Sequence, residues 1–248
     1  METKRVRVIG AGLAGSEAAL QLASFGFDVD LYEMRPEKPT PAHRGGALAQ
    51  LVCSNSFKGL ALTSAHGLLK NELNMLGSFL LKAAERTAVP AGESLTVNRD
   101  LFSEEVERLI LACPNITLHR EEVKTLEGEF PTIVAAGPLA SDTLADDIFK
   151  RLGSERLHFF DAIAPVVETE SIDFEHAFYK NRWEKGETED FINCPLDKET
   201  YDLFVQKLRE AESIEPRPFE KHELFEGCLP IEEMARRGTE TLRYGPMR

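Results

Sequence analysis

Cysteine is scarce. The 248 residues hold four, Cys53, Cys113, Cys194 and Cys228, and no two of them form a C-x-x-C pair. Such spacing supplies neither a zinc site nor a disulfide framework. Long apolar runs are missing too. No stretch approaches the ~18 residues that cross a bilayer. The N-terminus, Met-Glu-Thr-Lys-Arg, leads straight into a strand-like segment with no signal peptide, so a cytoplasmic protein with no membrane span is the expectation. Positive charge is the third shortage, with 29 Lys and Arg against 42 Asp and Glu, a net charge of −13. A chain this acidic is no general nucleic-acid coat, because attraction for phosphate has to come from a local patch. What remains is 42% apolar and 29% charged residues with 17 glycines and 13 prolines. That composition belongs to an ordinary globular protein and excludes disorder, collagen and coiled coil. At roughly 150 residues per domain, the length predicts one large or two small domains.

Residues 4–9 (Lys-Arg-Val-Arg-Val-Ile) alternate into an apolar end and predict a short buried strand. Gly10-Ala11-Gly12-Leu13-Ala14-Gly15 follows, then a helix over 16–25 that stops at Gly26, a residue suited to the left-handed C′ position. Residues 27–33 predict a second strand ending at Glu33. A βαβ opening of this kind implies a parallel sheet. A lone G-x-G-x-x-G is a weak signal. Here it follows a strand, opens a helix and has an acid at the end of the next strand, which is the dinucleotide context. Gly10 makes the tight turn, Gly12 lets the backbone approach a pyrophosphate, and Gly15 lets the helix pack close to the sheet. The helix N-terminus offers free N–H groups and a positive dipole end to phosphate. Glu33 would accept from a ribose hydroxyl. The small residues Ala19, Ala23 and Gly26 extend the pattern toward FAD-binding folds. The bland alternative, a glycine turn without a ligand, leaves this combination unexplained.

Residues 35–63 carry glycine and proline with no clean period and predict a long functional loop. Leu69, Leu73, Leu76, Leu80 and Ala83 predict one amphipathic helix over 65–86. Asp100 is a candidate cap for a helix facing inward through Phe102, Val106, Leu109 and Ile110. Residues 132–137 predict a buried strand ending at a Gly-Pro break, and 157–196 a mixture of strands and turns. Asp197 predicts a cap for a helix running to about 212, with Tyr201, Phe204 and Leu208 on its apolar face.

Two cysteines stand in segments with chemical potential. Cys53 lies in Leu51-Val-Cys-Ser-Asn-Ser56 with Lys58 nearby, and a neighbouring cation lowers a thiol pKa from its usual ~8.5. Cys228 lies in Phe225-Glu-Gly-Cys-Leu-Pro-Ile-Glu-Glu-Met-Ala-Arg-Arg-Gly238. Each also reads as a packed structural cysteine, and spacing alone does not choose. Arg35, Lys38, Arg44 and Lys58 against Glu37 give the 35–58 segment a local charge of +3, a patch able to follow a phosphate backbone. The basic and aromatic residues at 178–185 read better as a solvated turn.

These residues resemble the folate- and FAD-dependent tRNA (uracil-5-)-methyltransferase family (TrmFO). The resemblance runs from Val6 to Arg248. It rests on Val8-Ile-Gly-Ala-Gly-Leu-Ala-Gly15, Tyr32-Glu-Met-Arg-Pro36, the Cys53 motif, Ala136-Gly-Pro-Leu139, Asp161-Ala-Ile-Ala-Pro165, Ile192-Asn-Cys-Pro195 and the Cys228 motif. It implies an α/β fold, a Rossmann-like FAD-binding domain with a parallel sheet over 1–160, plus an inserted, incomplete α+β domain over 161–248 that takes tRNA. It further implies transfer of a methylene from methylenetetrahydrofolate to C5 of uridine-54 in the tRNA T loop, with FAD as cofactor and NAD(P)H as reductant. By resemblance Cys53 and Cys228 are the catalytic nucleophile and base in an order left open. Gly10, Ala11, Gly12, Leu13, Ala14, Gly15, Glu33 and Arg35 map onto the FAD site. Residues 44–50 (Arg-Gly-Gly-Ala-Leu-Ala-Gln) depart from the family wording before the Cys53 motif. The chain also ends where family members continue, so a fragment is expected. The alternatives are a flavin- or NAD-dependent oxidoreductase acting on a small molecule, and a non-catalytic split-gene half.

Overall fold

Strand-forming alternation at residues 5–9 and at 28–32 brackets a run of alanine and leucine, and the backbone follows that pattern. The computed structural model describes residues 4–52, 54–153, 167–181, 189–212, 229–244 and 247. The chain divides into two compact units, one of residues 1–157 with 185–188 and one of residues 158–184 with 189–248. In the first, β1 (Arg5–Ile9), α1 (Leu13–Ser24) and β2 (Asp28–Tyr32) are followed by β3 (Ser56–Gly59), α2 (Ala65–Met75) and α3 (Phe79–Arg86). Next come β4 (Ala88–Val89), β5 (Ser94–Val97), α4 (Arg99–Leu111), β6 (Ile116–His119), β7 (Thr132–Val134) and α5 (Asp142–Leu152). The second unit holds β8 (Phe178–Tyr179), β9 (Ile192–Asn193), α6 (Lys198–Glu210) and α7 (Ile231–Arg237).

The main sheet has four parallel strands in the order β6-β2-β1-β7, so the fold is α/β as the opening motif predicts. One face of it is apolar. Val8, Val29 and Leu31 pack there with Ala19, Leu20 and Ala23 of α1, Leu80, Leu81, Ala83 and Ala84 of α3, and Phe102, Val106 and Ile110 of α4. Burying apolar surface of this kind stabilises the unit by about 25 cal/mol per Å². The other face carries a charged network. Asp30 accepts from Arg5 and lies 3.0 Å from His119 Nε2, while the His119 ring stacks on Tyr32. Arg7 donates to the carbonyls of Leu126 and Glu127. A three-stranded antiparallel sheet, β3-β5-β4, adds Leu95 and Val97 to the core.

Four local expectations change. First, α1 begins at Leu13 rather than 16, because the glycine turn itself forms the cap: Gly12 is extended and its carbonyl accepts the Ser16 N–H at 3.0 Å. Second, the single helix expected over 65–86 is two. Gly77 sits at φ +80° after α2, and the Ser78 hydroxyl caps α3 by accepting from Leu81 N–H. Glu17 of α1 reinforces that break by accepting from the Phe79 and Leu80 amides and the Ser78 hydroxyl. Of the predicted stripe only Leu80 and Ala83 are buried, while Leu69, Leu73 and Leu76 are exposed. Third, Asn98, not Asp100, caps α4, accepting from the Asp100 and Leu101 amides. Fourth, the strand expected to be buried at 132–137 is shorter and lies at the sheet edge, with Ile133 and Val134 exposed.

In the second unit Asp197 caps α6, as its sequence predicts, by accepting from Thr200 N–H at 2.7 Å. The buried residue on that helix is Val205 rather than Phe204, and it packs with Ala235 and Leu242. Among the described residues no helix is long and apolar enough to cross a membrane, and no cluster of His, Cys, Asp and Glu could hold a metal.

Candidate functional site

The strand order reverses at β1, with β2 on one side of it and β7 on the other. In open α/β sheets a crevice forms at such a switch point, outside the carboxyl ends of the strands. The glycine turn occupies it. Gly10 has φ +99°, and a Cβ there would come within 2.6 Å of Ala136 Cα, just beyond the end of β7. A Cβ on Gly15 would lie 1.7 Å from the Gly10 carbonyl oxygen. At Gly12 the opposite holds, because a Cβ would meet nothing within 4 Å. Two of the glycines are therefore demanded by packing, and the third borders open space. That space faces the start of α1, where Leu13 and Ala14 are exposed. Its first turn has no side-chain cap and no acidic residue. Its first amides have no intrahelical acceptor, so the end is free to hold an anion.

Glu33 and Arg35 form the floor. Glu33 is 6% exposed and Arg35 2%. Glu33 Oε2 accepts from Ala11 N–H at 3.1 Å, and Oε1 accepts from both the amide and the Nε of Arg35 at 3.0 and 2.9 Å. Burial pushes the Glu33 carboxyl up. The hydrogen bond and charge of Arg35, with the two backbone N–H groups, outweigh burial and hold it below the usual carboxylate range. Among the described residues the buried Arg35 Nη1 has no hydrogen-bond partner. A buried guanidinium N–H without an acceptor is costly, and a ligand oxygen or ring nitrogen is the kind of group that would complete it.

Loop 35–50 closes back on the turn. Ala49, at φ +49°, donates its N–H to the Ala11 carbonyl at 2.9 Å, and both Leu48 and Ala49 are fully buried. His43 belongs to the same loop, with Nδ1 2.6 Å from the Thr40 hydroxyl. Burial first and the Arg35 charge second lower its pKa from the ordinary 6.5 to about 4. In the unfolded chain this imidazole takes up a proton near pH 6.5, whereas in the folded chain it does so only near 4. The neutral ring therefore contributes stability that is present above pH 6.5 and lost as the pH falls toward 4. Urea unfolding of a His43→Asn chain is expected to show a shallower loss between pH 6.5 and 4.5 than the parent. Identical slopes would contradict a buried neutral histidine.

The positive patch read at 35–58 is divided. Arg35 is buried against Glu33 and Lys38 pairs with Glu122 at 2.7 Å, while Arg44 and Lys58 are exposed. Cys53 and Cys228 lie outside the described residues, as do residues 182–185 of the basic and aromatic segment. In the second unit an open cleft of about 1110 Å³ is lined by Phe178, Ile192, Cys194, Tyr201, Arg243 and Tyr244 among others. His43, Ala49, Glu107 and Arg120 were not singled out by sequence. The one signal was the length of the aperiodic loop.

A family model described as glucose inhibited division protein A matches residues 5–248. The chain belongs to this family. Two curated relatives are named methylenetetrahydrofolate–tRNA-(uracil-5-)-methyltransferase TrmFO. The protein from Lactobacillus helveticus is 50% identical over 245 residues, 99% of this chain and 60% of its own length. That from Aquifex aeolicus is 52% identical over 245 residues, 99% of this chain and 55% of its own. The chain thus spans little more than half the length of the TrmFO relatives it matches. The sequence resemblance to TrmFO, carried by the motifs above, extends over nearly all of it. A solved structure from the glucose inhibited division protein A family, GidA from Aquifex aeolicus, aligns at 22% identity over 50% of this chain and 20% of its own, with a TM-score of 0.41.

Proposed function

We propose that the chain carries the cofactor cradle and both reactive thiols of a cytoplasmic, methylenetetrahydrofolate- and FAD-dependent tRNA (uracil-5-)-methyltransferase acting on uridine-54 of the T loop. In this reading residues 1–160 bind FAD and 161–248 belong to an inserted domain that meets the tRNA. The observation that carries it is the cradle itself: open backbone at Gly12, an uncapped helix end, and the partnerless Nη1 of a buried Arg35, in a chain half identical to TrmFO proteins. The residues fit FAD. The amides from Gly12 to Ala14 would hold the pyrophosphate, those of Gly10 and Ala11 being taken by the Tyr32 carbonyl and Glu33, with Glu33 toward the ribose hydroxyls and Arg35 toward the neighbouring polar edge of the nucleoside.

When bound and reduced by NAD(P)H, the flavin supplies the electrons that turn a transferred methylene into a methyl group. The chain's thiols answer a different need. C5 of uracil is a poor nucleophile, and addition of a thiolate at C6 makes C5 an enolate carbon able to attack the methylene. A second group then takes the C5 proton as the methylene's bond to the folate nitrogen breaks and tetrahydrofolate departs. The exocyclic methylene left on C5 takes up a hydride equivalent to become the methyl, and the thiolate leaves as the C5–C6 double bond re-forms. Cys53 and Cys228 are proposed for these two roles on the strength of the resemblance.

Titration of the purified chain with FAD, followed by flavin fluorescence, is expected to saturate. Incubation with 5-fluorouracil-containing tRNA is expected to give a covalent adduct that Cys53→Ser or Cys228→Ser abolishes. Flavin binding with no adduct would replace the proposal by a small-molecule oxidoreductase. Failure of both tests in a folded sample would leave a non-catalytic split-gene half.

A further inference from the structure

Arg120 follows β6 directly, yet its guanidinium works on the loop above the glycine turn. Nη1 donates to the Arg35 carbonyl at 3.1 Å and to the Gly46 carbonyl. Nη2 donates to Glu107 Oε1 of α4 at 2.7 Å, and Glu107 Oε2 accepts the Leu48 N–H at 3.5 Å. One ion pair thus grips the loop at Arg35, Gly46 and Leu48. The next residue, Ala49, is the one bonded to the Ala11 carbonyl. An alanine at φ +49° is disfavoured, so this conformation has to be imposed from outside the residue. The Gly46 end is crowded as well, since a Cβ there would come within 2.8 Å of Pro36 Cδ.

We infer that the Arg120–Glu107 pair is a positioning device that straps loop 35–50 over the glycine turn and so presets Arg35 for the nucleotide. The inference rests on the FAD reading for its ligand, but the strap itself is a property of the chain alone. A planar guanidinium reaches two carbonyls and a carboxylate together, which a lysine ammonium on a flexible stem does less well. The two side chains are 26% and 30% exposed, so removal of either leaves a partner charge that still reaches solvent.

Hydrogen exchange of the full chain without ligand is compared for the parent, Arg120→Gln, Glu107→Gln and Arg120→Lys, alongside FAD titration of each. Loss of the grip is expected to speed exchange of the Leu48 and Ala49 amides about tenfold, the scale of one to two hydrogen bonds. Core amides such as Val8 and Leu31 are expected to keep their protection. FAD affinity is expected to fall by a similar factor, and Arg120→Lys to recover part of both effects. Unchanged loop exchange would overturn the inference, as would acceleration spread equally through the core, which marks a merely structural pair. If the parent itself takes up no FAD, the cofactor reading fails, and the exchange pattern still decides the strap.

Discussion

A Gly15→Ala chain is expected to lose at least about 3 kcal/mol of stability, beyond the usual range for overpacking by one methyl. The added Cβ would sit 1.7 Å from the Gly10 oxygen, 2.9 Å from the Gly10 carbonyl carbon and 3.3 Å from Ala135 Cβ. These are mostly backbone atoms, and Gly10 cannot retreat, because it already lies against Ala136. The helix would have to lift from the sheet, and buried Ser16, Ala19 and Ala23 would move with it. Gly12→Ala is the contrasting variant. Its Cβ enters open space, so stability is expected to stay within about 1 kcal/mol of the parent, the scale of an N-cap change. FAD affinity is expected to fall, because the methyl intrudes where the backbone should meet phosphate. Urea unfolding and flavin titration of the two variants measure both effects. A Gly15→Ala chain as stable as the parent would refute the packing argument.

Arg35→Met is expected to cost about 3–5 kcal/mol at neutral pH, the range for removing one partner of a buried ion pair. Glu33 would keep two backbone N–H donors but lose its cation, and burial would then push its carboxyl up instead of being outweighed. The sign of the pH dependence follows. In the parent, the depressed Glu33 contributes stability present above the unfolded value of about 4.3 and lost as the pH falls through the lower folded value. In Arg35→Met a raised folded value makes the deficit largest at neutral pH and smaller as the carboxyl protonates. The double variant Glu33→Gln/Arg35→Met is expected to regain much of the loss, because no buried charge is left unpaired. Denaturant unfolding from pH 4 to 7 tests this. A pH-independent deficit would show that Arg35 acts through packing alone.

The relation between sequence and structure differs from element to element. The glycine spacing, the acid at the end of β2 and the Asp197 cap were legible because each acts within a turn or two of chain. The break at Gly77 was missed because Leu76 and Leu80 keep helical spacing across it. Gly77 and the Ser78 cap make the break, and Glu17, about sixty residues upstream, reinforces it by accepting from the first amides of α3. The short strands β3, β5 and β6 carry too few residues for a period to show, and they exist through pairing with distant partners. Arg35 illustrates the limit at the site. Its sequence surroundings read as part of a basic patch, while the fold places it beneath the turn and pairs it with Glu33.

The sequence by itself determined the parallel βαβ opening, the dinucleotide turn and the family resemblance, all of which rest on residue types at short, fixed spacings. Tertiary structure alone decided that Arg35 is buried with one N–H unsatisfied, that Ala49 closes on Ala11, and that Arg120 holds the loop between them. Those contacts join segments tens of residues apart, where the entropy of loop closure is met only by packing in the assembled core. No local pattern of residues encodes that sum.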